Sequence, residues 1–546
     1  MRYSCLIILL FVVGCNQAPT IDDAAITVDQ LTAHIKTLSS DEFEGRGPSS
    51  AGEEKTVAYL EAEFGRRGLQ PANGSSFRQN IPLVEITAIG NPELIVSRGS
   101  SLRTYAYGND FMGWTKRVTE SVSVENSDIV FVGYGIVAPE YGWDDYSGVD
   151  VKGKTVLILV NDPGYVSGDE TFFKGTTMTY YGRWTYKYEE AARQGASAAI
   201  IVHETGPAGY PWSVVSSSWS GGQFDLVTAD GNAGRVAIEG WVQRGVADEI
   251  FADAGLDYQA EASRAARAGF SAFEMGSWAS VAIQSENKRS ESTNVAAMLE
   301  GAVSPDEVVI YMGHWDHLGV GSPDATGDSI FNGARDNATG IAGLLEVAEF
   351  FAAGDRPARS ILFLAVGVEE SGLLGSKYYS EYPLYPLETT VVAINMDGLN
   401  IWGPMKDITI VGYGNSHLDD YVEEVVAASG RVVRPDPNPE KGFFFRSDHF
   451  SFAKKGVPSL YTENGVDHVD NGEEWTLAQM DEWTVNKYHA PGDEYDDTWD
   501  LTGAVADLQL LVEVGAKVAN EASWVDWKEG SAFKATRDES RSQRSE

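Results

Sequence analysis

In this sequence, histidines and carboxylates that could hold a metal gather just past apolar runs. "VVIYMG" leads into "HWDH", which holds His314 and Asp316. "ILFLAVG" leads into adjacent Glu369 and Glu370, and "VVAINM" leads into Asp397. Asp336 stands in "NGARDNATG" just before a helical stretch, and His489 stands in "NKYHAPGDEYDD". Each residue alone has a plainer role: a core histidine, a helix cap, a turn aspartate, a surface histidine. Together those roles would require several independent coincidences. Two histidines and three carboxylates suit zinc, as two ions with one carboxylate between them, and the same donors would accept manganese or cobalt. A paired site can bind both a nucleophilic water and a substrate oxygen. One glutamate must stay free to accept the water's proton. Glu369 and Glu370 can divide that work, one as base and the other as ligand.

The elements that must position these residues alternate between strand and helix. "EVVIYMG", "ILFLAVG", "TVVAINMDG", "DITIVGYG" and "VPSLYTENG" read as strands, and "TGIAGLLEVAEFFA" and "VADLQLLVEVGAKVANEA" read as helices. Near-continuous apolar strands between helices predict an α/β fold, a mostly parallel mixed sheet with helices on both faces. Ligands bind such sheets at the carboxyl ends of the strands. Residues 26–72 read as largely helical, with Val57, Leu60 and Phe64 on one face. From about residue 80 to 285 the texture changes to short strands punctuated by Gly, Pro and Asp.

The chain has 546 residues, enough for two or more domains. Its net charge of −39 argues against a nucleic-acid partner and against wide contact with anionic lipid. Both cysteines, Cys5 and Cys15, lie at the N-terminus, so a metal elsewhere must use His and carboxylates. The opening "MRYSCLIILLFVVGCNQAPT" reads as a secretory signal, too short to anchor as a membrane span. "VVGC" resembles a bacterial lipobox, which implies cleavage before Cys15, lipidation of its thiol, and membrane attachment through that lipid alone. The expected location is the bacterial cell envelope, at the outer membrane or the periplasmic face. The expected boundaries are a signal peptide at 1–14, a tether at 15–25, a first part of the main domain at 26–92, an insert at 93–285, a catalytic part at 286–525 and a disordered tail at 526–546.

"GHWDHLG", "GARDNATGIAGLLEVA", "GVEESGLLGS", "INMDG", "FRSDHFSFAKKGVPSL" and "YHAPGDEYD" are similar, in order and spacing, to motifs of the dizinc exopeptidases. That family, metallopeptidase family twenty-eight, contains aminopeptidase Y and glutamate carboxypeptidase. The resemblance implies that Asp336 bridges two zinc ions, with His314 and Asp397 on one and Glu370 and His489 on the other. It makes Glu369 the general base and Asp316 the residue that orients His314. It also implies a cis peptide bond between Asp336 and Asn337, and it puts Ser447, Asp448 and His449 near the site, to hold the loop or to contact the substrate's reacting carbonyl, with the loop-holding role preferred for Asp448. "VFVGYGIVAPEYGWDDYSGVDVKGKTVLILVNDPG" and "KYEEAARQGASAAIIVHE" resemble a β-rich protease-associated domain inserted into the peptidase. The implied activity is that of an aminopeptidase acting on peptides. The rivals are a carboxypeptidase of the same fold, needing a cationic pocket for which Arg335, Lys441 and Arg446 are candidates, and a receptor-like protein without catalysis.

Overall fold

A computed structural model describes residues 26–544; the signal peptide, Cys15 and the tether lie outside them. The helices start where the sequence provides caps. Thr27 Oγ1 accepts the Gln30 N–H at the start of α1 (Val28–Leu38), and Ser50 Oγ accepts those of Gly52 and Glu53 at the start of α2 (Ala51–Arg66). Val57, Leu60 and Phe64 of α2 are buried, as their spacing predicts. The insert segment follows β1 (Arg78–Ala88) and contributes β2 (Ser121–Phe131), β3 (Thr155–Leu159), α3 (Trp184–Arg193), β4 (Ala198–His203), β5 (Gly222–Leu226) and β6 (Ile238–Gln243). A 27-residue strand, β7 (Phe273–Leu299), then returns the chain to the main sheet. After it come β8 (Ser304–His314), α4 (Thr339–Ala353), β9 (Arg359–Val366), α5 (Leu374–Glu381), β10 (Thr390–Asn395), β11 (Asp407–Ile410), β12 (Ser459–Asn464) and α6 (Thr502–Asn520).

The main sheet runs β5-β1-β7-β9-β8-β10-β12-β11. Its centre, β9-β8-β10-β12, is parallel, and its flanks are antiparallel. Side chains alternate between the two faces. Val309, Tyr311, Phe363 and Ile394 pack against α1, α4 and α6 on one side. Ile310, Met312, Leu364 and Ala393 pack against Tyr379 of α5 and Phe452 on the other. Apolar runs are therefore required on both faces, and the sequence supplies them.

The insert has its own sheet, in which β2, β3, β4 and β6 are parallel neighbours. It carries more helix than its strand-and-turn texture predicts, including α3 and the stretches Arg244–Asp253 and Tyr258–Ala265. The two sheets are not separate. β7 pairs with β2 up to Gln284 and with β1 from Ser285 onward, while β5, from within the insert segment, pairs with β1.

The tail corrects the expectation of disorder over 526–546. Lys534–Arg544 forms a helix, α7, and Trp527, Phe533 and Arg537 are buried. The aromatic residues pack with Phe444 and Phe450, and the Arg537 guanidinium donates to Thr390 O at the start of β10. A polar composition concealed these anchors. Among the described residues, no helix is long and apolar enough to cross a membrane.

Candidate metal centre

The candidate residues meet at the carboxyl edge of the parallel strands. His314 is the last residue of β8, Glu369 and Glu370 follow β9, Asp397 follows β10, and Asp336 lies in the turn before α4. The turns that present them are tightly constrained. Gly333, at φ 54°, leaves room for the His317 ring, which a Cβ there would meet at 2.5 Å. Val368, at φ 62°, holds a left-handed conformation that costs a β-branched residue about 1–2 kcal/mol. Packing against Ile81, Leu83 and Leu374 holds it there. His489 is also left-handed, at φ 55°. The Asp336–Asn337 peptide bond is cis.

Asp336 faces two ways. Its Oδ1 lies 3.4 Å from His314 Nε2 and its Oδ2 lies 3.4 Å from His489 Nε2. Asp397 Oδ1 is 3.3 Å from His314 Nε2, and Glu370 Oε2 is 3.1 Å from His489 Nε2. Two donors bound at about 2.0–2.1 Å to one tetrahedral ion lie about 3.3 Å apart. The separations here match that spacing and exceed the about 2.7–2.9 Å of a charge-assisted hydrogen bond. His489 Nε2 has no hydrogen-bond partner although it is buried. Donor atoms of His314, Asp336 and Glu370 all lie within 4.8 Å of one another. The donor set therefore fits zinc, with the Asp336 carboxylate between two positions.

The two glutamates are pushed in opposite directions. Burial raises the Glu369 pKa well above the usual carboxylate value, with the Glu370 and Asp448 carboxylates adding to it and His314 opposing. Burial and Asp336 also push Glu370 up, but His489 and His317 outweigh them and bring it down to about 2. The two neighbouring carboxyl groups thus differ sharply in proton affinity.

Residues 294–512 match the model of a known family, Peptidase family M28. This segment is an M28 peptidase domain. The chain is similar to Aminopeptidase NAALADL1 of Rattus norvegicus, 37% identical over 131 residues, or 23% of this chain and 16% of that protein. It is also similar to a protein named Probable zinc metalloprotease from Pyricularia oryzae, 39% identical over 89 residues, or 16% of this chain and 17% of that one. The match thus spans about a sixth of each relative's length. A similar solved structure is the aminopeptidase from Aneurinibacillus sp. strain AM-1, with a TM-score of 0.48 at 19% identity over 91% of this chain and 95% of that one. Another is BSAP, a zinc aminopeptidase from Bacillus subtilis, with a TM-score of 0.42 at 16% identity over 94% and 98%.

Within the M28 domain, the sequence-predicted residues His314, Asp336, Glu369, Glu370, Asp397 and His489 are brought together. Asp316 is present but bonded differently from expectation. Its carboxylate is 3.9 Å from His314 Nδ1, whose closer neighbour is the Asp316 carbonyl at 3.1 Å. The carboxylate instead accepts the Glu369 and Glu370 N–H groups, at 3.0 and 3.4 Å. It fixes the glutamate turn rather than the ring. Asp448 and His449 are wholly buried and do not line the cleft, so neither is brought to the substrate side. His449 is enclosed by Phe444 and Tyr461, and burial lowers its pKa to about 3.

Several positioning groups escaped the sequence reading. Buried Arg46 donates to the carbonyls of Leu38, Trp315, Asn332 and Gly333, tying α1 to both site loops of the M28 domain. Asn337 bonds the His314 and Met396 carbonyls and accepts from Gly340 and Gly398. Ser447, which the sequence did place near the site, donates its Oγ–H to Asp397 Oδ2 at 2.6 Å. The Asp493 carboxylate accepts the N–H groups of Arg335 and Asp336. The visible signals were slight: glycines around Arg46, and a Pro-Gly turn before Asp493.

Proposed function

We propose that the protein is a dizinc aminopeptidase that removes N-terminal residues from peptides, anchored by a lipid on Cys15 in the bacterial cell envelope. The observation that carries the reading is the Asp336 carboxylate, with one oxygen toward His314 and the other toward His489. His314 and Asp397 would hold one ion, Glu370 and His489 the other, and Asp336 both. Zinc, when bound, supplies Lewis acidity toward water and toward the scissile carbonyl. Glu369 lies in the same cleft as Glu370 and His489 and has no assigned ligand role, so it would take the proton from the attacking water and return it to the leaving amine. Asp316, by holding the Glu369 and Glu370 N–H groups, keeps the two carboxylates in their separate roles.

The test combines metal content with hydrolysis of one peptide, free at its amino terminus or N-acetylated. Two zinc ions per chain, cleavage of the free form alone and loss of activity on chelation are expected. Glu369→Gln should keep its zinc and lose kcat by about 10²–10⁴-fold. Near-wild-type turnover in that variant would remove Glu369 from the mechanism, and cleavage of the blocked peptide from its C-terminus would favour a carboxypeptidase.

A further inference from the structure

A cavity of about 330 Å³ lies apart from the metal centre: Glu369 and the five candidate metal ligands do not line it. Three distant parts of the chain enclose it. They are the insert, with Tyr141 and residues between 174 and 181, the M28 domain, with residues between 412 and 445, and the tail just before α7, with Gly530, Ala532 and Phe533. The walls are mostly aromatic, with Tyr141, Tyr180, Phe443, Phe444, Phe445 and Phe533 among them. Small-molecule pockets have this volume and this lining, with a few polar groups that fix the ligand. The cavity has a mouth: Tyr413, which also lines it, is exposed, and a Cβ at Gly530 would meet no atom within 4 Å.

Its charged groups are unmatched. Lys174 donates to Asn415 Oδ1 at 2.6 Å, and among the described residues no carboxylate is within ion-pair distance of its ammonium. Asp419 acts on it from farther away and is held by Lys528 at 2.9 Å. An ammonium has three donors, so Lys174 keeps some in reserve. Asp436 accepts the Asn438 N–H at 2.7 Å, and among the described residues no cation is within ion-pair distance of its carboxylate. Burial pushes the Lys174 pKa down and the Asp436 pKa up, so each charge is held at a cost. The backbone is strained where it presents the lysine. Phe173 and Lys174 are left-handed in succession, at φ 49° and 58°, and Phe173 is held by stacking on Tyr141 at 4.3 Å. Such conformations persist only where packing enforces them, and they gather at ligand sites.

We propose that this cavity binds a small carboxylate with an aromatic or large aliphatic body, the carboxylate on Lys174 and the body among the rings. This goes beyond the peptidase reading and does not depend on it. Two ligands share the chemistry. A plain apolar acid uses Lys174 alone, and a free amino acid also gives its ammonium to Asp436. The second is the class of product that an exopeptidase releases.

The test is calorimetry on the zinc-loaded protein with 3-phenylpropionate, its uncharged amide 3-phenylpropanamide, and phenylalanine. Wild type should bind at least one of the two acids, and 3-phenylpropanamide roughly tenfold to a hundredfold more weakly than that acid. Lys174→Met should weaken acid binding by a similar factor, and Lys174→Arg should keep part of it. Both variants should retain wild-type zinc content and peptide hydrolysis. Tighter binding of phenylalanine than of 3-phenylpropionate, with the difference lost in Asp436→Asn, identifies the amino acid. Equal or weaker binding of phenylalanine identifies the plain acid. The proposal is overturned if wild type binds neither acid, or if the amide binds as tightly as the acids. It is also overturned if acid binding is unchanged in Lys174→Met, which would put the ligand at the metal centre instead. Should Lys174→Met fail to fold, the acid-against-amide comparison on wild type decides alone.

Discussion

Asp493 offers a direct measure of how the M28 domain builds its bridging carboxylate. The residue is wholly buried, and its carboxylate accepts the Asp336 N–H at 3.0 Å and shares the Arg335 N–H between its oxygens at 3.1 and 3.2 Å. Asp493→Ala leaves both donors unpaired. Each such loss costs about 1–3 kcal/mol. Part is offset, because burial raises the Asp493 pKa and keeping the carboxylate charged has its own cost. The bond from Ala334 N–H to the Asp493 carbonyl survives the substitution. A net loss of about 2–4 kcal/mol follows. Urea unfolding followed by tryptophan fluorescence, with zinc and with EDTA, would measure it. The loss should appear in both conditions, and zinc remaining after gel filtration should fall because the Asp336 turn is loosened. Asp493→Asn keeps one acceptor oxygen and should lose about half as much. A wild-type midpoint and wild-type zinc content in Asp493→Ala would refute the role given to this carboxylate.

Two further outcomes concern the supports around the site. Burial pushes Asp225 up, but Lys116, Lys377 and Arg235 outweigh it and bring its pKa to about 2. Because the folded value lies below the unfolded one, this stabilisation is complete above about pH 4 and is lost as pH falls through about 2. Asp225→Asn should cost about 1–2 kcal/mol at pH 6, discounted for the partial exposure of Lys377. The gap to wild type should close between about pH 4 and 2, and a constant gap in acid unfolding would contradict the assignment. In α6, a Cβ at Gly515 would lie 1.7 Å from the hydroxyl oxygen of Tyr311, which is buried and donates to Leu511 O. Gly515→Ala gains about 1 kcal/mol of helix propensity but overpacks by about 1–3 kcal/mol or more, so thermal unfolding should show a net loss.

The parallel centre of the sheet was legible because its strands are buried on both faces, which leaves unbroken apolar runs ending on His314, Glu369 and Asp397. The metal-compatible side chains were legible because few residue types bind zinc. The groups that hold them were harder to read. Arg46 acts on carbonyls, and any residue can supply a carbonyl, so no partner type marks it. Asp493 acts on N–H groups more than 150 positions away. Asp316 was assigned to the nearest candidate, the His314 ring, although its carboxylate reaches across to the turn after β9. Strand pairing between distant segments, such as β5 with β1, leaves no local periodicity to find. The tail was read as disordered from its polar composition, which hid the burial of Trp527, Phe533 and Arg537.

β7 gives the cleft a shared ruler. It leaves the insert's sheet at Gln284 and enters the main sheet at Ser285 with no intervening loop. Side chains alternate along it with a period of two, so losing or gaining one residue near that crossing would turn everything on one side face-down relative to the other. A single-residue change there would have to be absorbed by a bulge, like the irregularities between Glu274 and Trp278 and between Ala279 and Val281. The insert's sheet and the main sheet are therefore held in phase with each other by one continuous strand.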